Sequence, residues 1–192
     1  MASPRIGVIM ATTRGARIAD KPAQWLMDLA ERREDLDFEL VDLRDYPLPF
    51  FDEDYPPAYG PVKSEVGRKW QEKVAEFDGY IFVTGEYNNS IPAVFKNALD
   101  YAYTQWNRKP VAFFGYGGVG GARAVQHLRQ VVVELQMAPV RHGIYLGSGD
   151  FFALMQGQKT MDDFGYLEQS ATDLFENLAW WTNALKQARD AS

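Results

Sequence analysis

Five short apolar runs, each separated from the next by an amphipathic stretch, constrain this chain more than any other feature. "RIGVIM" (5–10), "GYIFVT" (79–84), "PVAFFGY" (110–116) and "RHGIYLG" (141–147) are rich in β-branched or aromatic residues and read as buried strands. "DFELVDL" (37–43) alternates apolar and polar residues and reads as a less buried fifth. Between the runs lie helical patterns. Trp25, Leu26, Leu29 and Ala30 fall on one face of the first, and Val125, Leu128, Val132 and Leu135 on one face of the fourth. The stretch 164–189 repeats Leu167, Ala171, Leu174, Leu178, Trp181 and Leu185 at spacings of three and four, which predicts a long helix with Trp181 on its buried face. Strict strand–helix alternation is the pattern of a parallel sheet covered on both faces, with right-handed crossovers and three α/β/α layers. At 192 residues the expectation is a single domain spanning 1–192.

In such sheets ligands bind beyond the carboxyl ends of the strands, near the point where strand order reverses. That rule selects a first loop, "ATTRGAR" (11–17), a second, "GEYNNS" (85–90), and a third, "GYGGVGG" (115–121). The first combines two hydroxyls, two guanidinium groups and a glycine before a helix start. A phosphate monoester asks for these donors, and Thr12, Thr13, Arg14 and Arg17 provide them. An N-capped turn with solvated arginines is the alternative. In the second, Tyr87 offers a stacking face and Asn88 a donor and acceptor together, while Pro92 presets the start of the next helix. Asn89 or Ser90 also suits that helix as an N-cap. The third satisfies G-x-G-x-x-G at Gly115, Gly117 and Gly120, but it follows the fourth strand, and the next strand ends in Tyr145-Leu146-Gly147 with no acid to hold a ribose, Asp150 coming about 30 residues on. It reads instead as a glycine loop that lets backbone groups approach the edge of a flat ligand. One phosphate-suited loop beside two suited to a planar heterocycle matches the shape of flavin mononucleotide (FMN).

The quoted loops carry a resemblance. The first is similar to G-S-x-R-x-x-S/R, with Ala11 at the glycine, and the second, running on through Phe95-Lys96-Asn97-Ala98-Leu99-Asp100, is similar to P-E-Y-N-x-S-x-P-x-x-L-K-N-A-I-D, with Gly85 at the proline. Ala122-Arg123-Ala124 after the third loop also fits. Over about residues 5–146 the chain resembles the NADPH-dependent FMN reductase family, which includes quinone, azo-dye and chromate reductases. The resemblance implies a flavodoxin-like fold with a five-stranded parallel sheet of order 2-1-3-4-5. It also implies an FMN phosphate held by Thr12, Arg14 and Arg17, and an isoalloxazine lined by Glu86, Tyr87 and Asn88 with Gly117 and Gly118 at its pyrimidine edge. Thr13, Gly85, Ser90 and Gly115 complete the expected cofactor site. The family's dimers imply a homodimer or homotetramer, with aromatics of "YAYTQWNRK" (101–109) near the seam.

The implied activity is transfer of two electrons from NADPH or NADH through FMN to a small acceptor such as a quinone, azo dye, metal oxyanion or free flavin. No side chain is nominated as catalytic, since the cofactor carries the chemistry. A flavin-binding electron carrier or sensor on the same fold is the alternative. Hydrolysis through Ser90 with His127 or His142 is a third reading, and it lacks the G-x-S-x-G elbow.

Composition removes other classes. With no cysteine and two histidines, thiolate, iron–sulfur and histidine-rich metal sites are not expected. A net charge of −6 without a basic run argues against nucleic acid, and no apolar run is long enough for a membrane span. The N-terminus lacks the pattern of a signal peptide, which predicts a cytoplasmic protein. The insert 44–62, with five prolines and five aromatics, reads as a surface lid or as an aromatic wall beside a planar ligand.

Overall fold

The computed structural model describes residues 3–191. Strands β1 (Arg5–Met10), β2 (Asp37–Asp42), β3 (Gly79–Gly85), β4 (Pro110–Tyr116) and β5 (Ala138–Leu146) form one all-parallel sheet in the order β2-β1-β3-β4-β5. The expected fold class and strand order are therefore observed. β3 and β4 are buried along their whole length, which is why their sequences lack alternation. The alternating β2 lies at one edge, and most of its residues are half-buried.

Helices α1 (Asp20–Ala30) and α6 (Tyr166–Asp190) cover one face; α2 (Glu65–Ala75), α3 (Ala93–Asp100) and α4 (Ala122–Glu134) cover the other. The period-two alternation of the strands sorts side chains between the layers. Ile6, Val8, Ile81 and Val83 join α1 and α6, whereas Ile9, Tyr80 and Phe82 join α2, α3 and α4. The second layer is strongly aromatic. Trp70, Trp106, Tyr80 and Phe82 form a chain of edge-to-face and tilted contacts, and the polar tips of the first three are satisfied by backbone carbonyls.

Several expectations are corrected. Tyr101 and Trp106, expected near a subunit seam, are core residues at 1% and 0% exposure. On α6 the buried position is Thr182, whose hydroxyl donates to the Leu178 carbonyl, while Trp181 remains exposed. The hydrogen bond removes the cost of burying a hydroxyl and lets α6 turn its bulkier neighbour outward. β5 begins three residues before the expected 141, at Ala138; Pro139 pairs with Val111 on this edge strand, and a register shift follows before Phe113 meets Gly143. An additional helix, α5 (Ser148–Met155), fills the gap before α6.

The insert 44–62 begins as a 3-10 turn (Leu43–Asp45) and then runs irregularly over the α2–α3 layer. Asn97 pins it, accepting from the Phe51 N–H at 2.9 Å and donating to the Pro49 carbonyl at 2.8 Å. Tyr46 packs on Trp70 and Phe51 on Tyr101, whereas Phe50, Tyr55 and Tyr59 point outward.

Candidate cofactor site

The three loops meet at the carboxyl ends of β1, β3 and β4, around a cleft of about 260 Å³. The first loop lines it with Arg14, Ala16, Arg17 and Ile18; the second with Gly85, Glu86 and Tyr87; the third with Tyr116, Gly117 and Gly118; and α5 with Phe151 and Met155. None of the lining residues comes from 44–62.

The backbone of the first loop is left open. Among the described residues, the N–H groups of residues 12–16 find no protein acceptor, and the first bond after them is from the Arg17 N–H to the Arg14 carbonyl at 3.1 Å. Successive free N–H groups ahead of a helix N-terminus form an anion-binding concavity. The Arg14 side chain is exposed, with its guanidinium 6.0 Å from the centre of the Tyr87 ring. Thr13 is half-buried beside it. Thr12 departs from expectation: it is buried, and its hydroxyl faces the Tyr116 hydroxyl at 3.3 Å beneath the cleft.

Arg17 is the main correction. Its guanidinium is fully buried and all five N–H donors are taken: Nε and Nη2 by Asp20, Nη1 and Nη2 by Asp42, and Nη1 also by the Thr12 carbonyl. No donor remains for a phosphate. Burial alone would lower its pKa, but hydrogen bonds and charge from Asp20 and Asp42 carry it above the ordinary arginine value. Burial likewise works to raise the Asp42 carboxyl, and hydrogen bonds from Arg17 and Arg44 hold it well below the usual carboxylate range.

The second loop is a two-residue hairpin. The Tyr87 N–H bonds the Ser90 carbonyl at 2.9 Å and the Ser90 N–H bonds the Tyr87 carbonyl at 3.0 Å, with Asn88 and Asn89 left-handed at φ 50° and 65°. Asparagine is among the few residues that tolerate that conformation, so the Asn-Asn pair fixes the turn. Both asparagines are exposed, and neither Asn89 nor Ser90 caps α3, whose N-cap is Pro92. The Ser90 hydroxyl instead meets His127 Nδ1 at 2.7 Å. No carboxylate among the described residues orients His127, and His142 sits in β5 with a buried, unpartnered Nδ1, so the hydrolytic reading lacks its third group.

Glu86 lines the cleft through its stem while its carboxylate turns toward α4, accepting from the Arg123 N–H at 3.2 Å and from Arg123 Nε at 2.6 Å. The second loop is thereby tied to the first turn of α4. Gly85 lies under the Tyr116 ring, where an added Cβ would stand 3.0 Å from Cε2. That explains the glycine at a position where the resemblance implies proline: the aromatic ring fills the space. Gly115 does not reach the cleft; a Cβ there would stand 2.5 Å from the Gly120 carbonyl oxygen, so it serves the fold of the third loop. Gly117 is left-handed at φ 146°, and Gly118 faces open space, with nothing within 4 Å of an added Cβ.

Ala16 in the first loop and Ile18 beside it were missed from sequence, as were three contributors from elsewhere. Tyr116 stacks with Phe151 at 6.2 Å and 26°, and burial pushes its phenol up to about 12. It lies within the third loop, where the glycines drew the attention. Phe151 and Met155 come from α5, eight residues of mostly apolar sequence with no period to mark a face.

A five-stranded 2-1-3-4-5 sheet with its cleft at the β1/β3 switch point defines the flavodoxin-like class of α/β protein. Residues 4–151 match the family model described as NADPH-dependent FMN reductase. The chain is 37% identical over 148 residues to an NAD(P)H-dependent FMN reductase of Schizosaccharomyces pombe, covering 75% of this chain and 74% of that one. It is 35% identical over 140 residues to a 2-hydroxy-1,4-benzoquinone reductase of Burkholderia sp., covering 69% and 72%. Its fold is similar to that of a flavoenzyme NAD(P)H:(acceptor) oxidoreductase from Paracoccus denitrificans, with a TM-score of 0.72, 22% identity, and 94% and 98% of the two chains covered. The chain belongs to the NADPH-dependent FMN reductase family.

Proposed function

We propose that the protein is an FMN-dependent NAD(P)H oxidoreductase that delivers two electrons to a small acceptor of the quinone, azo-dye, metal-oxyanion or free-flavin type. The observation that carries this reading is the convergence on one cleft of the first loop at Arg14 and Ala16, within a stretch of open backbone N–H groups, and an aromatic and glycine wall at Tyr87, Gly117 and Gly118.

The donor set fits FMN. Open N–H groups and the Arg14 guanidinium suit the phosphate, the Tyr87 face suits a planar ring, and the unfilled space at Gly118 lets backbone approach a ring edge. When bound, FMN supplies hydride acceptance from a nicotinamide and two-electron delivery to an acceptor. The protein's share is to bind and orient. The hairpin at Asn88-Asn89 fixes the height of Tyr87, and the Glu86–Arg123 pair holds the second loop against the start of α4. No protein proton transfer is required. The whole chain, 1–192, serves as one FMN-binding domain in this reading. It works as a homodimer or homotetramer, an arrangement supported by the outward-facing Phe50, Tyr55 and Tyr59. Among the described residues no helix is long and apolar enough to cross a membrane, and a cytoplasmic location beside the NAD(P)H pool belongs to the same proposal.

Anaerobic addition of NADPH to the FMN-loaded protein tests the activity. Rapid bleaching of the flavin absorption band, with colour restored by a quinone, is expected. A band that persists with NADPH but disappears with dithionite would make the protein an electron carrier instead.

A further inference from the structure

The first loop contains two arginines, and the structure treats them in opposite ways. Arg14 is exposed and, among the described residues, finds no hydrogen-bond partner for its side chain, whereas Arg17 is buried with every donor engaged. Asp42 ends β2 and Asp20 begins α1, so Arg17 joins two elements to the Thr12 carbonyl that lies between them. Arg44 closes the cluster, bonding Asp42 at 2.7 Å and Asp20 at 3.4 Å. Two cations therefore face two anions, and the cluster carries no net charge toward the cleft. Asp20 and Asp42 each take two of the Arg17 bonds, the two-pronged geometry that guanidinium and carboxylate groups favour.

We propose that Arg17 is a positioning residue of the phosphate subsite: held between Asp20 and Asp42, it fixes the Thr12 carbonyl and so aims the free N–H groups of the loop, while Arg14 alone supplies the cation that meets the phosphate. This rests on the flavin reading above. A consequence runs against simple electrostatics. Removing the Asp42 charge leaves Arg17 with one carboxylate partner instead of two and takes a negative charge out of the neighbourhood of a dianion, so on charge alone FMN should bind more tightly. If Arg17 positions the loop, FMN should bind more weakly, because the fork that aims the N–H groups is lost.

The test is equilibrium titration of FMN and of riboflavin, which lacks the phosphate, into the wild type, Asp42→Asn, Arg17→Lys and Arg14→Met, with thermal midpoints recorded for each. Asp42→Asn and Arg17→Lys are expected to weaken FMN by about tenfold or more while leaving riboflavin within about twofold. Lysine keeps the charge but cannot form the fork, so it gives no rescue. Arg14→Met is expected to weaken FMN alone by a similar factor. Tighter or unchanged FMN binding in Asp42→Asn, rescue by Arg17→Lys, or equal loss of both flavins would overturn the assignment. Should Asp42→Asn fail to fold, Asp20→Asn, at a half-exposed partner of the same fork, gives the same comparison. A wild type that binds neither flavin would refute the flavin reading itself, an outcome distinct from any of these.

Discussion

Tyr116 ties the cleft together: its hydroxyl reaches Thr12 in the first loop, its ring covers Gly85 in the second, it belongs to the third, and it stacks on Phe151 of α5. Tyr116→Phe removes one buried hydrogen bond and keeps the ring, so chemical denaturation at pH 7 should report a loss of about 1 kcal/mol. The sign of its pH dependence follows from the raised phenol. The unfolded tyrosine ionises near pH 10 and the folded one near 12, so the stability it contributes is complete below pH 10 and is lost as pH rises to 12. The gap between wild type and Tyr116→Phe should therefore narrow above pH 10; a gap that stays constant would contradict the buried, bonded phenol. Residue types at the site were legible, but their engagement was not. Arg17, Glu86 and Ser90 look like free donors and acceptors in the sequence, yet each is committed to a partner 3 to 37 residues away. Such pairings depend on how β2, α1 and α4 are brought together, which a motif does not encode.

At the scale of elements, the strands were legible because each is a run of apolar residues, and their alternation with helices implies the layers. What escaped detection has a physical reason in each case. α5 is short and apolar without a period, the start of β5 is masked by Pro139, and Trp181 was expected inside because spacings of three and four do not distinguish it from its neighbour Thr182. The "KNALD" stretch was legible as a helix, but the role of Asn97 was not: it holds the insert 44–62 through two backbone bonds. Asn97→Ala should cost about 1–3 kcal/mol by leaving those backbone groups without their partner. It should also speed limited proteolysis within 44–62 while other loops keep their wild-type cleavage rates. Uniformly faster cleavage would indicate general destabilisation rather than release of one segment.

Across the whole molecule, function and anchorage lie at opposite ends of the sheet. At the amino ends, Asp78 accepts from the Arg5 N–H and from Arg189 near the end of α6, while the buried Lys109 ammonium bonds the Val74 and Ala75 carbonyls that close α2. Burial lowers Lys109 to about 8, but its contact to the Ala75 carbonyl satisfies a helix end, where the Val74 carbonyl is shared with the Tyr80 hydroxyl. The carboxyl ends keep the groups that a ligand can use: open N–H groups, the left-handed Asn88-Asn89 turn and an exposed guanidinium. The cleft can therefore be altered without dismantling the core, and Gly118 is the place to do so because a Cβ added there meets no neighbour within 4 Å. The central claim, that this cleft holds FMN, is tested most directly by titrating FMN into the wild type and into Gly118→Phe and following the flavin absorption change. One FMN bound per chain in the wild type, with binding abolished in a variant of unchanged thermal midpoint, is the predicted result; a wild type that does not take up FMN, or a variant that binds it equally well, would contradict the account.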